Sequence, residues 1–250
     1  MINIELAFQQ LKRDNPQVNK WRYDISAGEI GQKDGGFSIQ QAYNHLYGDG
    51  LDLNLAEYAI TDISALKGLS LSSLMLQDTK VSDISPLKGM QLNRLHINHT
   101  QISDISPLKG MQFKVLYFYQ TPVSDISPLK KMRLYSLTLS DTQVSDISPV
   151  KEMPLHSLYL NRSLVGDISA LKGMHLKVLH FYQTKVSDIS VLKGMPLEEL
   201  WIPRSAINIE FLRSVKTLKR INRKPVLEFW EEYDAQKKSE SKPQNNKGLK

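Results

Sequence analysis

The chain has 250 residues, 41% hydrophobic and 23% charged, with a net charge of +6 and no cysteine. This is the balance of a folded protein rather than a disordered one, and the missing cysteine removes disulfide staples, thiolate metal sites and a thiol nucleophile. The charge is uneven: from Arg213 onward 11 Lys or Arg face 5 Asp or Glu, leaving 21 of each sign in the first 212 residues, so the excess describes the C-terminal end and is no argument for a basic nucleic-acid groove along the chain.

Residues 1–50 stand apart from the rest of the chain. Ile2 to Lys12 reads as a short amphipathic helix with Ile4, Leu6, Ala7, Phe8 and Leu11 as its apolar set, ended by Asn15-Pro16. Lys20 to Ile25 alternates as a strand through Trp21, Tyr23 and Ile25. Gly28 to Gly36 is a loop, and Ser38 opens a second short helix that runs to Tyr47. No basic segment followed by an apolar core marks a secretory signal. No apolar run reaches the roughly 20 residues that span a bilayer. A cytoplasmic protein with no membrane contact is the expectation.

From Leu51 to about Thr217 one phrase recurs about eight times. Its clearest copies are Leu71 to Gln91 (LSSLMLQDTKVSDISPLKGMQ) and Leu92 to Gln112 (LNRLHINHTQISDISPLKGMQ). Asp62, Asp83, Asp104, Asp125, Asp146, Asp167 and Asp188 mark a step of 21, and Lys67, Lys88, Lys109, Lys130, Lys151, Lys172 and Lys193 repeat it. A fixed step of this size with the pattern L-x-x-L-x-L is the signature of a leucine-rich-repeat solenoid.

In the second copy the inward set is Leu71, Leu74, Leu76, Val81, Ile84, Leu87 and Met90. Leu74 and Leu76 flank one outward residue, the alternation of a short strand. Ser85 suits a cap, Pro86 the first position of a 3₁₀ or α turn, and Gly89 a left-handed stop. Successive strands then pair in parallel, about 4.8 Å apart, along a concave face. The last repeat decays at Ile207 to Leu212. Leu218 to Ile221 adds a strand-like start, and Pro225 opens a helix to about Lys237.

The expected architecture is an α/β repeat: a leucine-rich-repeat solenoid with a parallel concave sheet, short 3₁₀/α turns on the outer side and helical end caps. Its expected divisions are 1–50 (N-terminal cap), 51–217 (repeats), 218–238 (C-terminal cap with helix) and 239–250 (disordered polar tail).

The unit LxxLxLxxTxVSDISPLKGM resembles the short leucine-rich repeat of the internalin type, with Thr79, Thr100, Thr121, Thr142 and Thr184 where asparagine usually stands. With its LKGMP link it is also similar to repeats in large bacterial families, some of which carry them behind a Ser/Thr kinase domain. The segment Lys224 to Asp234 (KPVLEFWEEYD) resembles the ending found there. The resemblance implies a bacterial binding protein. It leaves open a regulatory segment of a kinase signalling protein and an exported surface or adhesion protein. No Gly-rich phosphate loop, HRD or DFG is present, so kinase chemistry does not come with it.

Function is expected in the letters that change between copies. The middle strand column reads Met75, His96, Tyr117, Thr138, Tyr159, His180, Trp201, and its neighbour Gln77, Asn98, Tyr119, Ser140, Asn161, Tyr182, Pro203. Aromatic and imidazole rings concentrated on a wet face are the mark of a protein-binding surface. His96, Tyr117, Tyr119, Tyr159, His180, Tyr182 and Trp201 are therefore the candidate contacts for a protein or peptide. The aspartate ladder reads as Asx-type turns rather than a calcium site, which needs six to eight oxygens. The lysine ladder reads as a solvated row. Asp78 with His99, and Asp141 with Arg162, read as cross-strand pairs. Catalytic residues, metal and cofactor are not expected, nor is nucleic acid as a partner; the expected state is a monomer.

Overall fold

The computed structural model describes residues 4–18 and 51–240. The strand at Lys20 to Ile25, the loop at Gly28 to Gly36 and the helix from Ser38 lie outside the described residues. Each unit lays down a short strand, a left-handed corner, a 3₁₀ turn and a link to the next strand. The strands are β1 (Leu51–Asn54), β2 (Leu71–Met75), β3 (Arg94–His96), β4 (Val115–Tyr117), β5 (Ser136–Thr138), β6 (Ser157–Tyr159), β7 (Val178–His180), β8 (Glu199–Trp201), β9 (Arg220–Ile221) and β10 (Lys224–Pro225). They form one sheet in sequence order. Every pair from β1 to β9 is parallel, and β10 alone turns back antiparallel on β9. From β2 to β9 the register advances by one repeat per strand: Ser73 opposite Arg94, Arg94 opposite Val115, and so on to Glu199 opposite Arg220.

This register stacks like on like. Leu74, Leu95, Leu116, Leu137, Leu158, Leu179 and Leu200 form one inward column, each with no exposed surface. Phe118 and Phe181 stand where the other copies have Leu or Ile and are equally buried. The threonine column is buried as well, and its hydroxyls donate to the carbonyl three residues back: Thr79 to Leu76 at 2.7 Å, Thr121 to Phe118 at 2.8 Å. Hydroxyls with their hydrogen bonds made inside the corner carry structure.

The outer turns are 3₁₀, Ser85–Leu87 in the second copy. The sequence places Ser85 as the cap; instead Ser85 is the first residue of the turn, Ile84 takes the cap position without a side-chain bond, and the aspartate two positions before Ser85 braces the turn. Asp83 Oδ1 accepts from the Ser85 N–H at 2.7 Å and its Oδ2 from the Ser85 hydroxyl at 2.9 Å. The same pair of bonds recurs at Asp104, Asp125, Asp146 and Asp167. The Ser106 amide and hydroxyl donors hold the Asp104 carboxyl below its ordinary range. The turn closes at Gly89 with φ +78°. Lys131 and Glu152 hold the same left-handed position in their repeats, at φ +70° and +67°.

Helix α1 (Ile4–Asp14) packs on the first 3₁₀ turn, Ser64–Leu66. Asn15, fully buried, joins them: its Nδ2 donates to Leu11 O (2.9 Å) and Asp62 O (2.6 Å), and its Oδ1 accepts from the N–H groups of Thr61 (2.7 Å) and Asp62 (2.9 Å). At the other end α2 (Val226–Glu240) runs past Lys237 and takes Ser239 and Glu240 from the stretch read as tail. Trp230 is its buried anchor, with the Arg213 guanidinium 3.9 Å from the ring centroid. Among the described residues no helix is long and apolar enough to cross a membrane.

A candidate binding face on the parallel sheet

Because side chains alternate along a strand, each three-residue strand turns its central leucine inward and sets its flanking residues on the open face. Parallel pairing then brings residues 21 apart side by side. The middle column divides into two ring groups around Thr138. His96 and Tyr117 meet edge to face, with centroids 4.5 Å apart. Tyr159 meets His180 edge to face at 4.9 Å, and His180 stacks on Trp201 at 4.2 Å and 8°. Met75, His96, Tyr117, Thr138, Tyr159 and Trp201 are half-buried, so part of each remains open to solvent.

His180 differs from the expectation of a surface contact. Only 7% of it is exposed. Its Nε2 lies 3.1 Å from Glu199 Oε1, and its ring sits between those of Tyr159 and Trp201 on the neighbouring strands. Burial pushes its pKa down against the upward pull of Glu199. His96 is likewise pushed down, first by burial and then by Arg94. Burial raises the Tyr159 phenol. Arg223 lies over the outer face of Trp201, 4.5 Å from its centroid, and the buried Trp201 Nε1 has no hydrogen-bond partner among the described residues.

The neighbouring column is partly structural. Asn98 Oδ1 accepts the Tyr119 N–H at 2.8 Å and Asn161 Oδ1 the Tyr182 N–H at 2.9 Å. The two asparagines thus extend the ladder past the strand ends. Tyr119 sits beside His99, ring to ring at 5.1 Å, and its hydroxyl accepts from Arg162 at 3.3 Å. Tyr182, half-buried, lies three repeats from Tyr119 with Ser140 and Asn161 between them.

Several polar side chains of this face are paired across strands. Asp78 holds His99 at 2.7 Å, Asp141 holds Arg162 with two bonds of 2.5 Å, Asp52 meets Arg94 at 3.4 Å, and Glu199 binds Arg220. Both cross-strand pairs read from the sequence are therefore formed. The bonds to Asp141 hold the Arg162 pKa up. The positions that exit the strands, Asp78, His99, Gln120, Asp141, Arg162 and Gln183, all take positive φ of 51° to 60°. That corner turns each side chain along the edge of the sheet toward its neighbour in the next repeat. No group of three or more His, Asp or Glu side chains poised for a metal occurs among the described residues.

One aromatic pair escapes a reading confined to the strand columns. Tyr135, 54% exposed, stacks on His156 at 4.8 Å and 20°. They precede β5 and β6 by one residue, at the edge of the face. Their 21-residue spacing is the signal that could have found them.

No protein-family model matches the chain, and no curated protein matches it. Among solved structures it is similar to internalin C2 of Listeria monocytogenes, with a TM-score of 0.59 and 24% identity over 68% of this chain and 79% of that one. It is also similar to an internalin, InlF, of the same organism, with a TM-score of 0.57 and 22% identity over 87% of this chain and 67% of that one. These likenesses carry the fold: an internalin-like leucine-rich-repeat solenoid.

Proposed function

We propose that the chain is a non-enzymatic interaction module that takes a protein or peptide on the concave, ring-bearing face of its sheet. One observation carries this reading: the face ties its polar side chains to one another in cross-strand pairs and leaves rings half-open to solvent. Paired side chains and preset rings cost a partner little ordering, and half-exposed Tyr and Trp are the side chains from which binding hot spots are made. Tyr117, Tyr159 and Trp201 are the anchors, with His96, Tyr119 and Tyr182 around them and His180 as their support. The reading takes the protein as a cytoplasmic monomer that needs no cofactor and binds no nucleic acid. The kinase-linked and surface-adhesion alternatives use the same face and differ in what accompanies it in the native protein.

The test is affinity capture from the native cell followed by titration of the captured partner. Alanine at Tyr117, Tyr159 or Trp201 weakens binding about tenfold or more each, the range of a hot-spot truncation. A triple alanine variant that retains every partner overturns the assignment.

A further inference from the structure

A second surface lies on the links between the 3₁₀ turns and the strands. Two shallow grooves adjoin there and share Lys151, Glu152, Met153 and Pro154. Lys130, Lys131, Arg133, Lys151 and Lys172 line them, all exposed. Unlike the charges of the sheet face, none of these five side chains forms an ion pair with another described residue. Two carboxylates share the grooves. Asp146 is held by the amide and hydroxyl of Ser148, and Glu152 stands at the junction. The floor is apolar, with Met132, Met153 and Pro149 buried. Tyr135 stacked on His156 stands at the margin, where His156 joins the lining.

One column of the repeat changes residue type at the same place. The turn closes on glycine at Gly68, Gly89, Gly110, Gly173 and Gly194, all with positive φ. Only at Lys131 and Glu152 does a side chain occupy that left-handed position, and both line the groove. Where five other repeats have glycine, these two therefore add a charged side chain to the groove.

We propose that this link groove is a docking site for an acidic segment of a partner protein, separate from the ring-bearing face. The cation rows match its carboxylates, and the exposed Pro154, shared by both grooves, offers an apolar contact between them. Glu152 in mid-groove favours a polypeptide over a nucleic acid, since a phosphate chain following the cations would cross a carboxylate. The proposal does not rest on the sheet-face reading.

The test uses the whole protein and a fluorescein-labelled glutamate-rich peptide, followed by anisotropy. The peptide binds, its glutamine counterpart does not, and added salt weakens binding through screening. The triple variant Lys130→Ser, Lys131→Gly, Arg133→Ser lowers affinity about tenfold or more, as removal of several interface cations does. Lys131→Gly alone weakens binding while raising the unfolding temperature, which separates lost contact from lost fold. The Tyr117, Tyr159 and Trp201 alanine variants bind the peptide unchanged, so failure of the sheet-face reading leaves this one standing. Equal binding by the triple variant overturns the proposal, and so does tighter binding of a labelled oligouridylate than of the peptide.

Discussion

At the scale of single residues, the left-handed positions give the most direct energetic test. An L-residue at αL costs roughly 1–2 kcal/mol, and glycine removes that cost while giving back part of it as unfolded-state entropy. Lys131→Gly and Glu152→Gly are each expected to stabilise the protein by about 0.5–1 kcal/mol, seen as a higher urea midpoint with an unchanged slope. The buried imidazole gives a second test. The pKa of His180 is lowered from 6.5 in the folded protein, so below about pH 6.5 the unfolded chain binds more protons and stability falls. The stability held above that value is lost as pH drops through the lower, folded pKa. The urea midpoint should fall from about pH 7 to about pH 5, and His180→Phe should flatten that fall. Glu198 does not contribute in this window, because Lys219 and Lys177 hold its carboxyl at about 2.

Much at this scale was legible in the sequence. An aspartate before Ile-Ser-Pro announces its turn, and opposite charges 21 apart announce their pairing. The depth of His180 was not legible. It depends on Trp201 stacking over the ring and Glu199 reaching its Nε2, and an alternation of inward and outward positions carries no measure of either.

Among the elements, Asn15 shows what a local reading leaves out. Asn15-Pro16 reads correctly as a helix stop, since α1 ends at Asp14. The same asparagine also binds backbone 46 and 47 residues away, and no local pattern encodes that reach. Its amide is both donor and acceptor, so one side chain satisfies groups on α1 and on the first repeat. Asn15→Ala leaves the Thr61 and Asp62 amides without their acceptor, at a cost of about 1–3 kcal/mol. Amide exchange should speed up at Thr61 and Asp62 first, while the amides of the middle repeats keep their protection. A uniform loss across the chain would contradict a local clasp. At the far end, α2 continues to Glu240 because Arg213 stacks on Trp230 and pairs with Asp234 at 2.5 Å, and Lys237 reaches Glu210 at 2.7 Å. Those partners lie outside the helix, so the polar composition beyond Lys237 concealed its length.

Over the whole molecule, the 21-residue step was enough to read the parallel sheet, because identical spacing forces identical register. It could not announce the antiparallel return of β10, which is made by Asn222 and Arg223 at positive φ of 49° and 72°, two residues with no counterpart in the repeat. That return decides how the sheet ends. The Val226 N–H reaches back to Lys219 O at 3.1 Å, and alternate residues of a strand point their amides in opposite directions. The outward amide of β10 would therefore belong to residue 225, and proline has none. A stack of parallel strands is a template that any further strand, including one from another molecule, could extend. Here the row of donors stops at a blank. Pro225→Thr restores one outward donor on the last strand, and light scattering should then show concentration-dependent association in the variant while the parent chain stays monodisperse. A single imino acid would thus act as the chain terminator of the sheet, keeping a structure made by repetition from repeating without limit.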